Sequence, residues 1–343
     1  MNPVLTKRVV IKRAPRSLPS HAQGLSLLEV MIALVLGLLV VAAAIGMFAS
    51  NKATFRSTDS LGVVQETART SFELMARDLR EAAGNPCVNN LPIANVVNTN
   101  ATSWWSNFTD WGATTRGYGA TETFPSQSFG TAAGVRLTGT EAVQLISGDS
   151  NVSTITAHNT GGGIFTVNRN DHGIAAGDLV LVCNSRQAAV FQASGVSGAN
   201  ISYATTGSPG NCSINLGLVG VGEACSSRQA FAFAAPNSVL VRLNASRWYI
   251  ANNANGRPSL YHTRLAGGTV SNEEVAEGVS ALSVTYLMRG ATNYVAPAAV
   301  GNWANVIAAR IALTLDGQPN TGTGGTPLQR QTIHVVSLRN RNL

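Results

Sequence analysis

At 343 residues, 45% apolar and 12% charged, the chain can bury a sizeable core and does not have the composition of a disordered polypeptide. Its formal charge of +7 invites a nucleic-acid reading, but Lys7, Arg8, Lys12, Arg13 and Arg16 precede the first acid, Glu29, and from Leu25 onward 19 basic groups face 17 acidic ones. A balance of +2 offers no stripe of Lys and Arg to neutralise phosphates, so no dedicated nucleic-acid site is expected.

The first predicted element is a membrane helix behind a basic leader. Val30 to Ala49 are twenty residues without a charge, which at about 1.5 Å each span a hydrocarbon core of roughly 30 Å. Basic residues are retained on the cytoplasmic side, so the five ahead of the span place the amino terminus in the cytoplasm and the bulk of the chain beyond the membrane. A secretory signal cut near Ala42 to Ala49, or an uncut signal anchor, would account for that much. Neither accounts for Gly24-Leu25-Ser26-Leu27-Leu28-Glu29-Val30, where a lone carboxylate stands in the first turns of the apolar run. A carboxylate buried in lipid is costly without a partner. Cleavage after Gly24 would create an α-amine on Leu25, and a neighbouring subunit's amine could pair with Glu29 in a low dielectric.

The stretch GLSLLEVMIALVLGLLVVAA resembles the type IV prepilin motif, in which a prepilin peptidase cuts after Gly and the fifth mature residue is Glu. The resemblance implies that residues 1–24 are a cleaved leader ending at Gly24, that Leu25 is the mature amino terminus and N-methylation site, and that Glu29 is the assembly carboxylate. Members of that family mostly begin with Phe or Met, and Leu25 departs from the pattern.

Beyond the apolar span, Leu61, Val64, Ala68, Phe72, Met75 and Leu79 step by three or four, an amphipathic helical stripe. Glu73 with Arg77 and Arg77 with Glu81 support the opposite face, and Gly84-Asn85-Pro86 supplies a stop. One helix from Leu25 to Ala83 would be roughly 89 Å long at 1.5 Å per residue, its first half in a membrane or filament core and its second packed on a head domain. This is the α+β, pilin-like architecture that the resemblance implies: a leader, a helix over residues 25–84, and a β-rich head over residues 85–343.

The head alternates short apolar runs with Gly, Thr, Ser and Asn, the texture of a β-rich domain. Strands are expected at Val135–Leu137, Ala142–Ser147, Asp178–Cys183, Ala188–Gln192, Gln229–Phe233, Ser238–Leu243, Trp248–Asn252, Ser259–Arg264, Ser283–Met288, Val306–Leu315 and Thr332–Leu338, with a turn begun by Asp316-Gly317 between the last two. The segments HGIAAGDLVLVCNSRQAAVFQ, EEVAEGVSALSVTYLM, NWANVIAARIALTL and VVSLRNR look like those of PilW-type minor pilins. No resemblance covers Val88 to Gly134, where Trp104, Trp105, Phe108, Trp111 and Tyr118 cluster. Large aromatics of this kind belong in a core or subunit contact more often than on an exposed docking surface.

Cys87, Cys183, Cys212 and Cys225, delivered to an oxidising compartment, are expected as two disulfides with three possible pairings. The short Gly-rich loop between Cys212 and Cys225 favours their pairing, which leaves Cys87 for Cys183. No CxxC occurs, and His158, His172, His262 and His334 lack ligand spacing, so no metal is expected. The run Asn168 to Gly173 resembles a calcium loop but has Leu179 where a bidentate acid belongs.

Neither GxSxG, SxxK, HExxH nor a phosphate loop is present, so neither an enzyme nor a cofactor is expected. Glu273, Glu274 and Glu277 read as a solvated turn, and Arg339 and Arg341 as part of a solvated tail. By resemblance the chain is a minor pilin that initiates or caps a type IV pilus serving twitching and adhesion, single-pass in the inner membrane with a periplasmic head and later at the cell surface. Its partners would be a prepilin peptidase, the major pilin and other minor pilins, the inner-membrane assembly machinery and lipid. A type II secretion pseudopilin, or a displayed adhesin or DNA-uptake pilin using Trp104 to Tyr118, are the alternatives.

Overall fold

The computed structural model describes residues 24, 26–87, 91–99, 102–108, 110–125, 127–220, 222–322 and 325–341. The chain falls into two units, Met1–Phe55 and Arg56–Leu343. One helix, α1 (Leu27–Glu81), contributes to both.

In the second unit the helical stripe becomes a packing face: Val64, Ala68, Met75 and Leu79 are buried, while Leu61 and Phe72 are half-buried. On the outer face Arg77 pairs with Glu81 at 3.2 Å, but Glu73 pairs with Arg69 at 2.9 Å rather than with Arg77. Both pairs are exposed and screened by solvent, so they add little to stability. The helix ends at Glu81, ahead of the expected Gly-Asn-Pro signal; Ala83 then takes the left-handed conformation (φ 62°) and Gly84 N–H returns to Glu81 O at 2.8 Å.

The strands are β1 (Ile93–Asn95), β2 (Thr115–Tyr118), β3 (Ala142–Gly148), β4 (Ser153–Asn159), β5 (Ile164–Val167), β6 (Leu179–Cys183), β7 (Ala188–Gln192), β8 (Gly195–Ser197) and β9 (Asn200–Ser202). They continue with β10 (Val239–Asn252), β11 (Pro258–Ala266), β12 (Thr269–Glu277), β13 (Val279–Met288), β14 (Tyr294–Val295), β15 (Val306–Asp316) and β16 (Gln329–Ser337). Twelve strands form one sheet around β10, which pairs with β3, β4, β6 and β11; β13 to β16 form a second sheet in the order β14-β13-β15-β16. The α1 stripe packs in one core with Val143, Leu145, Trp248 and Ile250 of the large sheet and Val284, Ile311, Leu313 and Val336 of the small one.

Four expected strands are corrected. Val135–Leu137 makes only an isolated bridge, Arg136 to Ala251, because the Arg136 guanidinium gathers the carbonyls of Gly119 and Glu122 around it at 2.8 Å each and holds that stretch as a loop. Gln229–Phe233 forms no strand, and Phe233 N–H donates instead to His158 Nδ1 at 3.0 Å. Ser238–Leu243 and Trp248–Asn252 are halves of the continuous β10, since Asn244, Ala245 and Ser246 between them keep pairing with β3. The acids Glu273, Glu274 and Glu277 do not make a solvated turn but lie in β12. Glu273 accepts from Arg264 at 2.5 Å and Glu274 from Ser259 at 2.7 Å, so cross-strand donors stabilise the run as a strand.

Both disulfides form, Cys87–Cys183 and Cys212–Cys225. The first ties the chain just after α1 to the end of β6.

A second core, around Phe165, Phe191, Tyr203 and Phe233, encloses the half-buried His158, whose ring stacks on Phe165 at 4.0 Å. Nδ1 accepts from Phe233 N–H, so the ring's single proton sits on Nε2, 2.7 Å from Tyr203 Oη. Burial pushes the His158 pKa down to about 4. The unfolded imidazole titrates near 6.5 and binds a proton that the folded one refuses, so stability is whole above 6.5 and falls as the pH drops toward 4. A thermal-melt series from pH 7 to pH 4 should show this decline, and His158→Gln should flatten it. An unchanged slope in the variant would refute the assignment.

Candidate functional site

The amino-terminal motif begins at Gly24, which is exposed; Leu25, the expected mature terminus and methylation site, lies outside the described residues, as do residues 1–23 of the expected leader. Ser26 caps α1, its Oγ accepting the Glu29 N–H at 3.2 Å. The signal for this was in the sequence as Ser-x-x-Glu, a capping-box spacing that satisfies one of the open N–H groups of a first turn. Glu29 thereby stands at the third helical position, where the helix dipole favours a negative charge. The same carboxylate that assembly chemistry would use also suits the start of the helix.

From Leu27 the helix is apolar all round and uncovered. Leu34, Val35, Leu38 and Leu39 are each more than half exposed, and the most apolar stretch has mean hydropathy 2.8 with none of it buried. It is long and apolar enough to cross a membrane. A helix without a polar face has no stable position in water and calls for lipid or other helices around it.

The carboxy-terminal LRNRNL is not a solvated tail through its described part. Arg341 is buried, donating to Trp303 O, to Thr114 Oγ1 and, at 3.1 Å, to Trp111 O. Burial pushes its pKa down to about 10, which leaves it charged at neutral pH. Asn340 Nδ2 reaches the carbonyls of Arg80, Glu81 and Ala82 at 3.3 Å each and caps the end of α1. Among the described residues of this tail Arg339 alone remains exposed. No spacing rule could have found this latch, because apart from Trp303 its acceptors lie more than 220 residues upstream.

Of the clustered aromatics, Trp105, Phe108 and Tyr118 are buried, as packing predicts, while Trp104 and Trp111 are half-buried. Trp111 Nε1 donates to Leu91 O at 3.0 Å, and Trp104 lies over the Arg247 guanidinium at 4.1 Å. The calcium-like loop uses its polar groups internally: Asn168 accepts from Thr154 N–H, Arg169 pairs with Asp171, and His172 Nδ1 accepts from Ile174 N–H. Among the described residues no group of three His, Cys, Asp or Glu side chains is placed to hold a metal.

The model of the family described as Type IV Pilus-assembly protein W matches residues 247–337, and that described as Prokaryotic N-terminal methylation motif matches residues 19–45. The first takes in the second half of β10 and every strand from β11 to β16; the second brackets Gly24, Leu25 and Glu29. Of the head segments singled out in the sequence, HGIAAGDLVLVCNSRQAAVFQ lies outside the match. No curated protein and no solved structure matches the chain.

Proposed function

We propose that this chain, a PilW-type pilin related to the type IV pilus, is a non-catalytic minor subunit that joins other pilins to initiate a pilus or sit at its tip. The observation that carries this reading is the uncovered apolar segment of α1 with the lone carboxylate Glu29 in its capped first turn. Stored in the inner membrane, such a helix leaves Glu29 without a countercharge; inserted in a filament, it can take the terminal amine of a neighbour. The head of roughly 260 residues is too bulky to repeat at every position of a thin filament but fits at an end. Orientation follows from the basic leader, which keeps the amino terminus in the cytoplasm and the head in the periplasm until assembly carries it to the cell surface.

The reading requires a prepilin peptidase to cut after Gly24. Intact-mass measurement of the membrane-extracted protein should give a chain starting at Leu25 only when the peptidase is present, with one added methyl. Glu29→Ala should leave the protein in the membrane, reduce co-purification with other pilins at least tenfold, and, like deletion of the gene, should abolish twitching. Normal piliation on deletion together with unchanged co-purification of Glu29→Ala would end the proposal. Loss of exoprotein secretion with intact pili would move the chain to a secretion pseudopilus.

A further inference from the structure

Strand register brings together side chains that lie far apart in sequence. Across five neighbouring strands Arg116 of β2 sits opposite Gln144 of β3, Gln144 opposite Arg247 of β10, Arg247 opposite Thr263 of β11, and Thr263 opposite Asn272 of β12. Side chains alternate between the two faces of a sheet. The neighbouring row, Val143, Trp248 and His262, points to the other face, where Val143 and Trp248 join the α1 core. The Arg116-to-Asn272 row is therefore a polar band on the face turned away from the helix, although its middle is as buried as a core. Gln144, Arg247 and Thr263 are 7%, 3% and 4% exposed.

Most of the band is satisfied internally. Thr263 Oγ1 donates to Asn272 Oδ1 at 2.7 Å, and Gln144 Oε1 accepts from Tyr118 Oη at 3.1 Å and from Arg247 Nε at 3.0 Å. Arg247 is the exception. Its guanidinium is sandwiched between Trp104 and Phe124, 4.1 and 4.2 Å from the ring centroids, and its Nη2 makes no hydrogen bond. The ionisable groups that act on it are Tyr118, Tyr249 and Arg136, none of them a carboxylate. The other three buried arginines among the described residues differ: Arg136, Arg228 and Arg341 each spread their donors over two or more backbone carbonyls. A buried cation without a counterion, with a donor left over, is costly unless something supplies the anion.

A cavity of about 250 Å³ opens on Arg247, walled by Trp104, Phe124 and Tyr249 and rimmed by the exposed Pro125, Val270 and Asn272. That volume is below the roughly 300–1,000 Å³ of sites for drug-sized ligands and suits a single ring. A larger cleft of about 700 Å³ adjoins it, sharing Trp104 and Pro125, and adds Trp303 with the side-chain amides of Asn107 and Asn302. Aromatic faces and side-chain amides are the groups that meet the C–H faces and hydroxyls of sugar rings. An extended peptide is served less well, because β3, β10 and β11 are each paired on both sides and leave no free backbone edge at this floor.

We propose that this cavity is a binding site for an acidic glycan, holding the carboxylate of one hexuronate residue on Arg247 between Trp104 and Phe124, with the continuing sugar chain in the adjoining cleft. A guanidinium recognises a carboxylate through paired N–H donors, which accounts for arginine at this position. The site stands apart from the amino-terminal assembly chemistry and would add ligand capture to whatever filament the chain joins.

The test uses the full-length protein in detergent, titrated by tryptophan fluorescence and calorimetry with oligogalacturonate, the matching neutral galactose oligomer, and a glutamate-rich peptide. The expected result is saturable binding of oligogalacturonate, at least tenfold weaker binding of the neutral oligomer and of the peptide, and at least tenfold loss with Arg247→Gln and with Trp104→Ala. Asn272→Ala, at the exposed rim, is expected to weaken binding severalfold and serves where the Arg247 variant does not fold. Equal affinity for the acidic and neutral oligomers, or no binding of the acidic one, would overturn the proposal. Preference for the peptide would overturn the glycan as the source of the carboxylate. Full binding by a folded Arg247→Gln, or by Asn272→Ala where Arg247→Gln does not fold, would overturn the assignment of the site.

Discussion

Replacing Cys87 and Cys183 together by serine is expected to lower the stability of the head by about 4 kcal/mol, more than the same change at Cys212 and Cys225. The argument is chain entropy in the unfolded state: a crosslink that closes a long loop removes more disorder than one that closes a short loop. The two bonds span 96 and 13 residues, for which the loop model gives roughly 4.7 and 3 kcal/mol. Position adds to the difference. Cys183 ends β6 fully inside a core, and Cys87 follows directly on the stop of α1, so the long bond also fixes where the chain leaves the helix. Thermal unfolding of the purified full chain should show the first double variant melting about 10 °C below the parent, taking 2–4 °C per kcal/mol for a domain of this size. A loss below about 1 kcal/mol, or a larger loss from the Cys212/Cys225 pair, would refute the ordering.

What could be read from the sequence was local. The helix from Leu27 to Glu81 announced itself through an uncharged span followed by a stripe stepping three and four, because hydropathy and the 3.6-residue period are properties of neighbouring residues. Strands such as β6 and β7, buried along their whole length, were equally plain as short apolar runs. β4 and β12 escaped because STITAHN and TVSNEEVAE carry too few apolar residues to alternate, and their pairing partners supply the reason for extension. The Arg247 band escaped for a stronger reason. Gln144 and Arg247 are 103 residues apart, and only the register of β3 on β10 makes them neighbours. The buried Arg341 belongs with these: a basic tail looks solvated until the loops that accept its hydrogen bonds are in place.

The second large effect is expected at Trp248, where the helix meets the large sheet. Its ring is 1% exposed, stacks on His262 at 4.0 Å, and donates Nε1–H to Asp78 Oδ2 at 2.9 Å; His262 Nε2 lies 3.0 Å from the same oxygen. Asp78 sits on α1 one turn from Met75 and next to Leu79, both fully buried. The side chain therefore fills the core and satisfies a partly buried carboxylate of the helix. Trp248→Ala should cost about 4 kcal/mol, in the range for emptying a large aromatic site. Trp248→Phe keeps most of the ring, removes the donor to a charged acceptor, and should cost about 2 kcal/mol. Asp78→Ala in the Trp248→Phe background should then cost less than Asp78→Ala alone, with a coupling of about 1 kcal/mol. Denaturant titration of the four variants measures that difference. Additive effects would mean that the 2.9 Å contact contributes nothing, and a Trp248→Ala loss under 2 kcal/mol would mean that the site collapses around the vacancy. Loss of this Trp248–Asp78 anchor would also act in the cell: with the stripe of α1 exposed, the second half of the helix would present Val64, Ala68, Met75 and Leu79 to solvent, and lower steady-state protein would follow even with Gly24, Leu25 and Glu29 intact.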